Sequence, residues 1–577
     1  METRNCQNCK NNFNIEPDDF SFYEKIKVPA PTFCPECRLI RRLQSRNERV
    51  LFRAECALCK NPTITGYHPD NQYVIYCTNC FASDNWDPLS YGVDYDFSKT
   101  FFEQYSDLQK KVPHKGLYEI MSQNSTFSNY VFSSKDIYLS FTVVDSEWVY
   151  YTRSADRCKE SMDCYNILDC ESCYGCIQTS KSYGSTYLLE SKDCVSSHFL
   201  FDCTNCTDCF MSSNLRNKQY YFRNKQLSRD EYKKAIELVS MNRISNINIL
   251  KNEFNLMVLS SIHRYSSIIG SVDSTGDNII RSKNTKDSFH STETENSRFA
   301  MRTVGMKDSY DVIGSLQSEL LYEVHGGARG SMNSHFVNVG TSTVDSEYTD
   351  YCTNTKDVFG SVSLNQQSYC ILNKKYIKEE YHSLISKIKK HMVDMPYVDE
   401  KGRVYSFGEY FPQICVPFAY NESAAQEFFP LSGDEIINQG YLYREPIVPS
   451  YAPTISRGTI PDNINNVTDG IINEIIECAH NGHCDKHRCV GAFKINVEEL
   501  SFYKKFGLPL PDLCPNCRHY DRLDYVHMPV LFKRKCNCVL NHQFHEGGTC
   551  EVEFETSYAP NRPEKVYCEK CYQQEVL

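Results

Sequence analysis

The sequence lacks any apolar run approaching the ~18 residues of a membrane helix, so no spanning segment is expected in its 577 residues. Its start, Met1-Glu2-Thr3-Arg4-Asn5-Cys6, carries no apolar signal-peptide region. There is no Gly-Lys-Ser/Thr loop to cradle phosphate, no Gly-x-Ser-x-Gly elbow and no His-Glu-x2-His helix. A basic excess is missing too. With a formal net charge of −11, nucleic-acid binding has to be argued from a local patch.

What is present is cysteine, 30 residues of it. Paired thiols without a secretion signal point to a reducing, cytoplasmic compartment and to metal rather than disulfides. The N-terminal stretch holds Cys6-x2-Cys9, Cys34-x2-Cys37, Cys56-x2-Cys59 and Cys77-x2-Cys80. A Cys-x2-Cys turn aims two thiolates at one ion, and tetrahedral Zn²⁺ takes four. Two zinc sites follow, Cys6/Cys9/Cys34/Cys37 and Cys56/Cys59/Cys77/Cys80. Burial or disulfide pairing explains one such pair but not four at a single spacing.

The stretch returns at the C-terminus, where Cys489, Cys514, Cys517 and Cys536 each lie 480 positions after Cys9, Cys34, Cys37 and Cys56 (489 − 9, 514 − 34, 517 − 37, 536 − 56). Ser21-Phe22-Tyr23 answers Ser501-Phe502-Tyr503, and Val50-Leu51-Phe52 answers Val530-Leu531-Phe532. The module is duplicated. Its C-terminal ligands are expected to be Cys484, Cys489, Cys514 and Cys517, then Cys536, Cys538, Cys568 and Cys571. Cys478, Cys550, His542 and His545 are alternatives. About four Zn²⁺ are expected in all.

In the first module Phe13 to Val28 alternates like a hairpin, and Arg38 to Glu48 reads as a helix starting at the second cysteine pair. Knuckle, hairpin and ligand-bearing helix make a treble clef, and the second quartet makes a zinc ribbon. Arg38, Arg41, Arg42, Arg46 and Arg49 share one helix face, and Arg53 follows on the same side. Such a stripe suits phosphate contact. It equally suits arginines clamping acids within the protein. In the C-terminal copy Asp521, Val526 and Pro529 stand where Arg41, Arg46 and Arg49 stand in the first.

Between the modules, small polar residues recur with one aromatic every ~10–12 positions, as at Phe289, Phe299, Tyr310, Phe336 and Tyr348. This pattern predicts a right-handed β-solenoid with coils of ~22 residues and aromatics that point inward or pack in stacked rows. Two blocks close alike, at Asn224-Lys225 with Glu231-Tyr232 and at Asn373-Lys374 with Glu380-Tyr381, 149 positions apart (373 − 224). The first block holds Cys-x2-Cys-x2-Cys runs at 170/173/176 and 203/206/209. These suit stacked core ladders, with iron–sulfur ligation as the alternative.

The organisation expected is mainly β. A double zinc module spans 1–83 and a connector 84–120. Solenoid block 1 spans 121–226 and a helix 227–250. Block 2 spans 251–374 and a second helix 375–395. A Pro- and aromatic-rich extended segment covers 396–470, and the C-terminal double zinc module 471–577.

The run Cys34-Pro35-Glu36-Cys37-Arg38 through Arg42 and the block Asn217-Lys218-Gln219-Tyr220 carry a family resemblance. So do Phe428-Phe429-Pro430-Leu431 and the tail Phe554 to Pro560 with Tyr567 to Tyr572. The chain resembles the multi-zinc-ribbon proteins common in genomes of candidate-phyla bacteria. The resemblance implies zinc binding and bacterial cytoplasmic residence, and carries no activity with it. The second block departs from it, having few of the cysteines usual in such repeats.

A non-enzymatic zinc-binding scaffold for a macromolecule, protein or nucleic acid, follows as the first functional expectation. One alternative is a solenoid enzyme acting on carbohydrate, with Glu323, His325 and Arg329 as its cluster. Another is metal or redox handling by the central cysteines.

Overall fold

The computed structural model of the chain describes residues 1–447, 451–483, 488–545 and 548–577. It is mainly β. Two stacks of short parallel strands fill the centre, and the two ends of the chain fold into similar small units against them. No helix among the described residues is long and apolar enough to cross a membrane.

The first stack begins at Glu119 and builds four-residue strands such as Asn129–Phe132, Lys135–Tyr138 and Phe141–Val144. Each strand pairs in parallel with one twelve positions on: Phe141 with Asn129, Arg153 with Phe141, Tyr165 with Arg153. One turn is therefore twelve residues, not the ~22 expected. The backbone repeats on a still shorter period. Every third residue from Met121 to Arg223 has a positive φ. That bend is costly for most side chains but cheap for Asn and Asp, which occupy many of these positions. They also bond between turns: Asn205 Nδ2 donates to Asn217 Oδ1 at 2.7 Å, and Asn124 Nδ2 to Asp136 Oδ1 at 2.9 Å.

The intervening register points inward. Ser128, Val131, Ser134, Ile137, Ser140 and Val143 are buried, and the same three-residue step runs on to Cys203, Cys206 and Cys209. An inner hydroxyl accepts from the backbone N–H twelve residues on, as Ser128 Oγ does from Ser140 (3.1 Å), and donates to a carbonyl two residues back. Buried polar groups are satisfied in this way. The aromatics do not fit this narrow interior. They lie on the outer flanks in rows, with Phe336 and Tyr348 stacked at 4.4 Å and Tyr348 against Phe359 at 5.5 Å. Their burial comes from what covers the flank.

The second stack repeats the first at an offset of 148 up to Val324 (311 − 163 for Asp311 and Asp163). Beyond it the offset is 149 (352 − 203 for Cys352 and Cys203), because one extra residue enters where the register shifts near Gly326-Gly327. Each stack ends in an antiparallel hairpin. A helix follows, Arg229–Val239 after the first and Lys378–Asp394 after the second. The helix expected over 227–250 is instead two, the second being Ile244–Ser260, with Ser240 in the left-handed conformation between them.

Each end unit runs hairpin, helix, helix, hairpin, strand, helix. In the first, Phe13 to Val28 does not form a hairpin. Only Asn12–Ile15 is strand, paired with Glu2–Asn5, and Pro17–Lys25 is a helix. Pro17 at its first position and the reciprocal Glu16/Asp19 capping box start that helix. Near the other end, a short 3₁₀ turn, Asp469–Asn473, is followed by the strand Ile476–Glu477.

The end units are seated crosswise. The first packs its helices on the second stack. Phe22 stacks on Tyr310 at 4.0 Å, Tyr23 meets Tyr322 edge-on at 5.4 Å, and Arg38 lies over Phe299 at 5.1 Å. The last unit repeats this on the first stack. Tyr503 meets Tyr174 edge-on at 5.9 Å, and Arg518 lies over Tyr151 at 4.6 Å. Yet the second half of each unit grips the opposite stack. Ile75–Tyr76 pairs with His114–Lys115, which leads into the first stack. Lys565–Tyr567 pairs with Ile262–Arg264, which leads into the second. Even the hydrogen bonds correspond: Tyr67 OH lies 3.2 Å from His114 Nδ1, and Tyr558 OH lies 3.0 Å from His263 Nδ1. Each end unit thus bridges both stacks.

Candidate metal centres

Four groups of four cysteines converge, with all ligand atoms of a group within 4.8 Å of one another. They are Cys6/Cys9/Cys34/Cys37, Cys56/Cys59/Cys77/Cys80, Cys478/Cys489/Cys514/Cys517 and Cys536/Cys550/Cys568/Cys571. Every described cysteine is a free thiol. Each group could hold one metal ion, and four thiolates are the donor set of closed zinc sites.

The four are built alike. Cys34, Cys77, Cys514 and Cys568 each cap the N-terminus of a helix, and the fourth ligand sits in its first turn. The helix dipole there favours a thiolate. The backbone N–H of each capping cysteine also donates to the first sulfur of its group. Cys34 reaches Cys6 and Cys77 reaches Cys56, both at 3.3 Å. Cys514 reaches Cys478 and Cys568 reaches Cys536, both at 3.2 Å. Donors aimed at sulfur stabilise its charged form, which is the form that binds metal.

In the C-terminal module the geometry uses Cys478 where Cys484 was expected; Cys484 lies outside the described residues. It uses Cys550 where Cys538 was expected. The signal was in the sequence: Cys550, Cys568 and Cys571 all follow Cys59, Cys77 and Cys80 by 491 positions (550 − 59, 568 − 77, 571 − 80). Against the 480 offset before Cys536, eleven residues are inserted inside the knuckle. Likewise Cys478 follows Cys6 by 472, so eight residues are inserted between Cys478 and Cys489.

The arginine stripe faces inward. Arg38, Arg41, Arg42 and Arg46 are buried, Arg42 completely. Arg38 Nε and Arg42 Nη2 donate to the two oxygens of Asp311 at 3.0 and 2.9 Å. Arg41 and Arg42 both reach Glu323, at 3.1 and 2.5 Å. Arg46 pairs with Glu48, and Arg49 with Glu427 at 3.6 Å. Of the six, only Arg53 is exposed. The stripe therefore does not present guanidinium groups to a phosphate backbone; it clamps acids of the second stack and its neighbours. Burial alone would weaken the Arg38 guanidinium, but Asp311 beside it holds its pKa well above the ordinary value. Asp163 does the same for Arg518.

Glu323 is in turn committed to those arginines, and His325 is buried. Burial first, then Arg46, pushes the His325 pKa down to about 3. Its Nδ1 lies 2.8 Å from Asn338 Oδ1. Neither is a free acid or base facing a substrate, and Arg329 stands exposed apart from them.

The nine central cysteines are all buried on the inward register. They bond as serines do there: Cys158 Sγ donates to the Asp156 carbonyl at 3.3 Å, as Ser140 Oγ does to that of Tyr138 at 3.0 Å. No metal-holding group forms among them. The Cys-x2-Cys-x2-Cys spacing is thus the three-residue inward step. The chain matches no protein-family model and no curated protein.

Proposed function

We propose that this chain is a non-enzymatic scaffold: a two-block β-solenoid held by four structural Zn²⁺ ions in terminal treble-clef and zinc-ribbon modules. The observation that carries this is the bridging geometry. Each end unit holds two four-cysteine groups and grips both stacks. Four thiolates leave no open coordination position, which suits structure rather than catalysis.

Support for a macromolecular partner comes from a cleft of about 760 Å³ between the two end units, the first stack and the extended segment. Its lining residues include Arg53, Lys494, Glu422, Glu445, Tyr138 and Tyr451. Mixed charge with aromatic faces suits a protein segment better than a bare phosphate backbone. Zinc stripping tests the scaffold. Chelation under mild conditions is expected to speed hydrogen exchange in both stacks together, with about four Zn²⁺ released. Release of zinc without faster exchange in the stacks overturns the stapling role. Pull-down with and without nuclease tests the partner; loss of the captured material on nuclease treatment overturns a protein partner.

A further inference from the structure

The eleven residues inserted into the last knuckle carry a second set of ligands. Cys538, His542 and His545 converge with Cys571, all ligand atoms within 4.8 Å. Cys571 also belongs to the group Cys536/Cys550/Cys568/Cys571. The two sets therefore share one sulfur. The corresponding N-terminal knuckle, Cys56-x2-Cys59, has no such insertion and no such second set.

The histidines are oriented as ligands. His542 Nε2 lies 3.1 Å from Cys538 Sγ, and its Nδ1 lies 3.7 Å from Glu575 Oε1. One ring nitrogen faces the sulfurs while a carboxylate stands behind the other, the usual support of a metal-bound imidazole. His545 Nε2 lies 3.5 Å from Cys571 Sγ, and its buried Nδ1 has no hydrogen-bond partner among the described residues. Phe544 stacks on the His542 ring at 5.1 Å and 12°, fixing its plane. So short an insertion has no core of its own to hold this arrangement.

Charge supports the same conclusion. One Zn²⁺ among four thiolates leaves a formal charge of minus two in a buried site, which is costly to bury. Five thiolates, two neutral imidazoles and two Zn²⁺ leave only minus one.

We propose that the C-terminal module holds a two-metal cluster of divalent, zinc-like ions. One ion sits in Cys536, Cys550, Cys568 and Cys571, the second in Cys538, His542 and His545, with the Cys571 thiolate bridging the two. This rests on the zinc assignment of the four-cysteine groups. The 577-residue chain therefore binds five ions, not four.

Native mass spectrometry of the full chain tests it. Five Zn²⁺ are expected in the unaltered protein, and four in His542→Ala, His545→Ala and Cys538→Ser. Cadmium-loaded protein is expected to give one NMR resonance of mixed nitrogen and sulfur ligation, coupled through sulfur to a sulfur-only resonance. Four ions in the unaltered protein, unchanged in the variants, overturn the cluster and leave the four-site assignment standing. Fewer than four overturn both. Should a variant unfold its module, the count and the cadmium spectrum of the unaltered chain still decide.

Discussion

The N-terminal and C-terminal units share an element order and the residues at the centre of their docks, yet differ in the arginines beside them. Arg38 and Arg42 meet Asp311; Arg518 and Arg522 meet Asp163, at 3.1 and 2.7 Å. These two arginines persist in both copies. Arg41, Arg46 and Arg49, which pair with Glu323, Glu48 and Glu427, do not. The retained pair serves the contact common to both ends, while Glu323 and Glu48, the partners of Arg41 and Arg46, have Gly175 and Met528 at the corresponding positions of the other copy. The metal sites diverge in the opposite sense. The C-terminal groups are wholly buried and their knuckles have grown, whereas Cys9 and Cys59 stay exposed in short N-terminal knuckles.

Removing one ligand at each end breaks this comparison most severely. Structural Zn²⁺ is worth roughly 10–16 kcal/mol in small modules, so Cys34→Ser and Cys514→Ser are each expected to unfold the helices they cap. Because the units dock crosswise, the damage is expected at a distance in sequence. Cys34→Ser exposes the flank of the second stack at Tyr310 and Tyr322. Cys514→Ser exposes that of the first at Tyr151 and Tyr174. Hydrogen exchange read by peptide checks this; protection lost on the same-numbered half of the chain instead would refute crosswise docking.

A smaller perturbation sharpens it. Asp311→Ala and Asp163→Ala each take a carboxylate from two buried guanidinium groups, which typically costs about 3–5 kcal/mol. The outcomes are expected to differ in the arginine that keeps a partner. After Asp311→Ala, Arg38 loses its only ion pair among those described, while Arg42 keeps Glu323 at 2.5 Å. After Asp163→Ala, Arg518 keeps Glu499 at 3.4 Å, but Arg522 loses its only ion pair among those described. One arginine is stranded in each variant, and the one that keeps a partner is held more closely after Asp311→Ala, so Asp163→Ala is expected to lower the melting temperature more. Equal shifts would mean that Glu323 supports Arg42 no better than Glu499 supports Arg518.

How much of this was legible in the chain depended on the period searched. The duplicated cysteine pairs exposed three of the four ligands in the third group, because the 480 offset holds for Cys489, Cys514 and Cys517. It hid Cys478 and Cys550, because insertions inside a knuckle break the offset between the two cysteines of a pair. The stacks were visible as repeats, but the aromatic spacing of ~10–12 was taken for half a turn. The shorter period was written in Ser128, Val131, Ser134 and Ile137, whose hydroxyl and methyl groups alternate in polarity while sharing one direction. An apolar-periodicity search passes over such a register. The inward turn of the arginine helix was one of two readings open in the sequence, but its partners could not be named, since Asp311 lies 269 positions from Arg42 and Glu323 lies 281.

The smallest effect is expected where the two stacks differ most in composition. At the offset of 148, Cys170 corresponds to Ser318 (318 − 170), and at 149, Cys206 corresponds to Thr355 (355 − 206). All four are buried on the inward register. Cys170 Sγ donates to the Leu168 carbonyl at 3.4 Å, and Ser318 Oγ donates to that of Leu316 at 3.2 Å. Ser318 thus already shows that a hydroxyl serves at the first of these places, whereas the buried Thr355 Oγ1 has no hydrogen-bond partner among the described residues. Cys170→Ser changes volume little and keeps a donor at the same carbonyl, so it is expected to cost less than ~1.5 kcal/mol, and Cys206→Thr, which meets the setting of Thr355, about 1–3 kcal/mol. Metal content is expected to stay unchanged, because neither residue belongs to a converging group. The single alternative that the sequence raised, ligation by the Cys-x2-Cys-x2-Cys runs, predicts otherwise: one substitution would release iron or zinc from the central block and remove any visible absorption it gave. Metal analysis of the double variant beside the unaltered protein separates the two, and a lower metal count would return the central cysteines to the list of ligands.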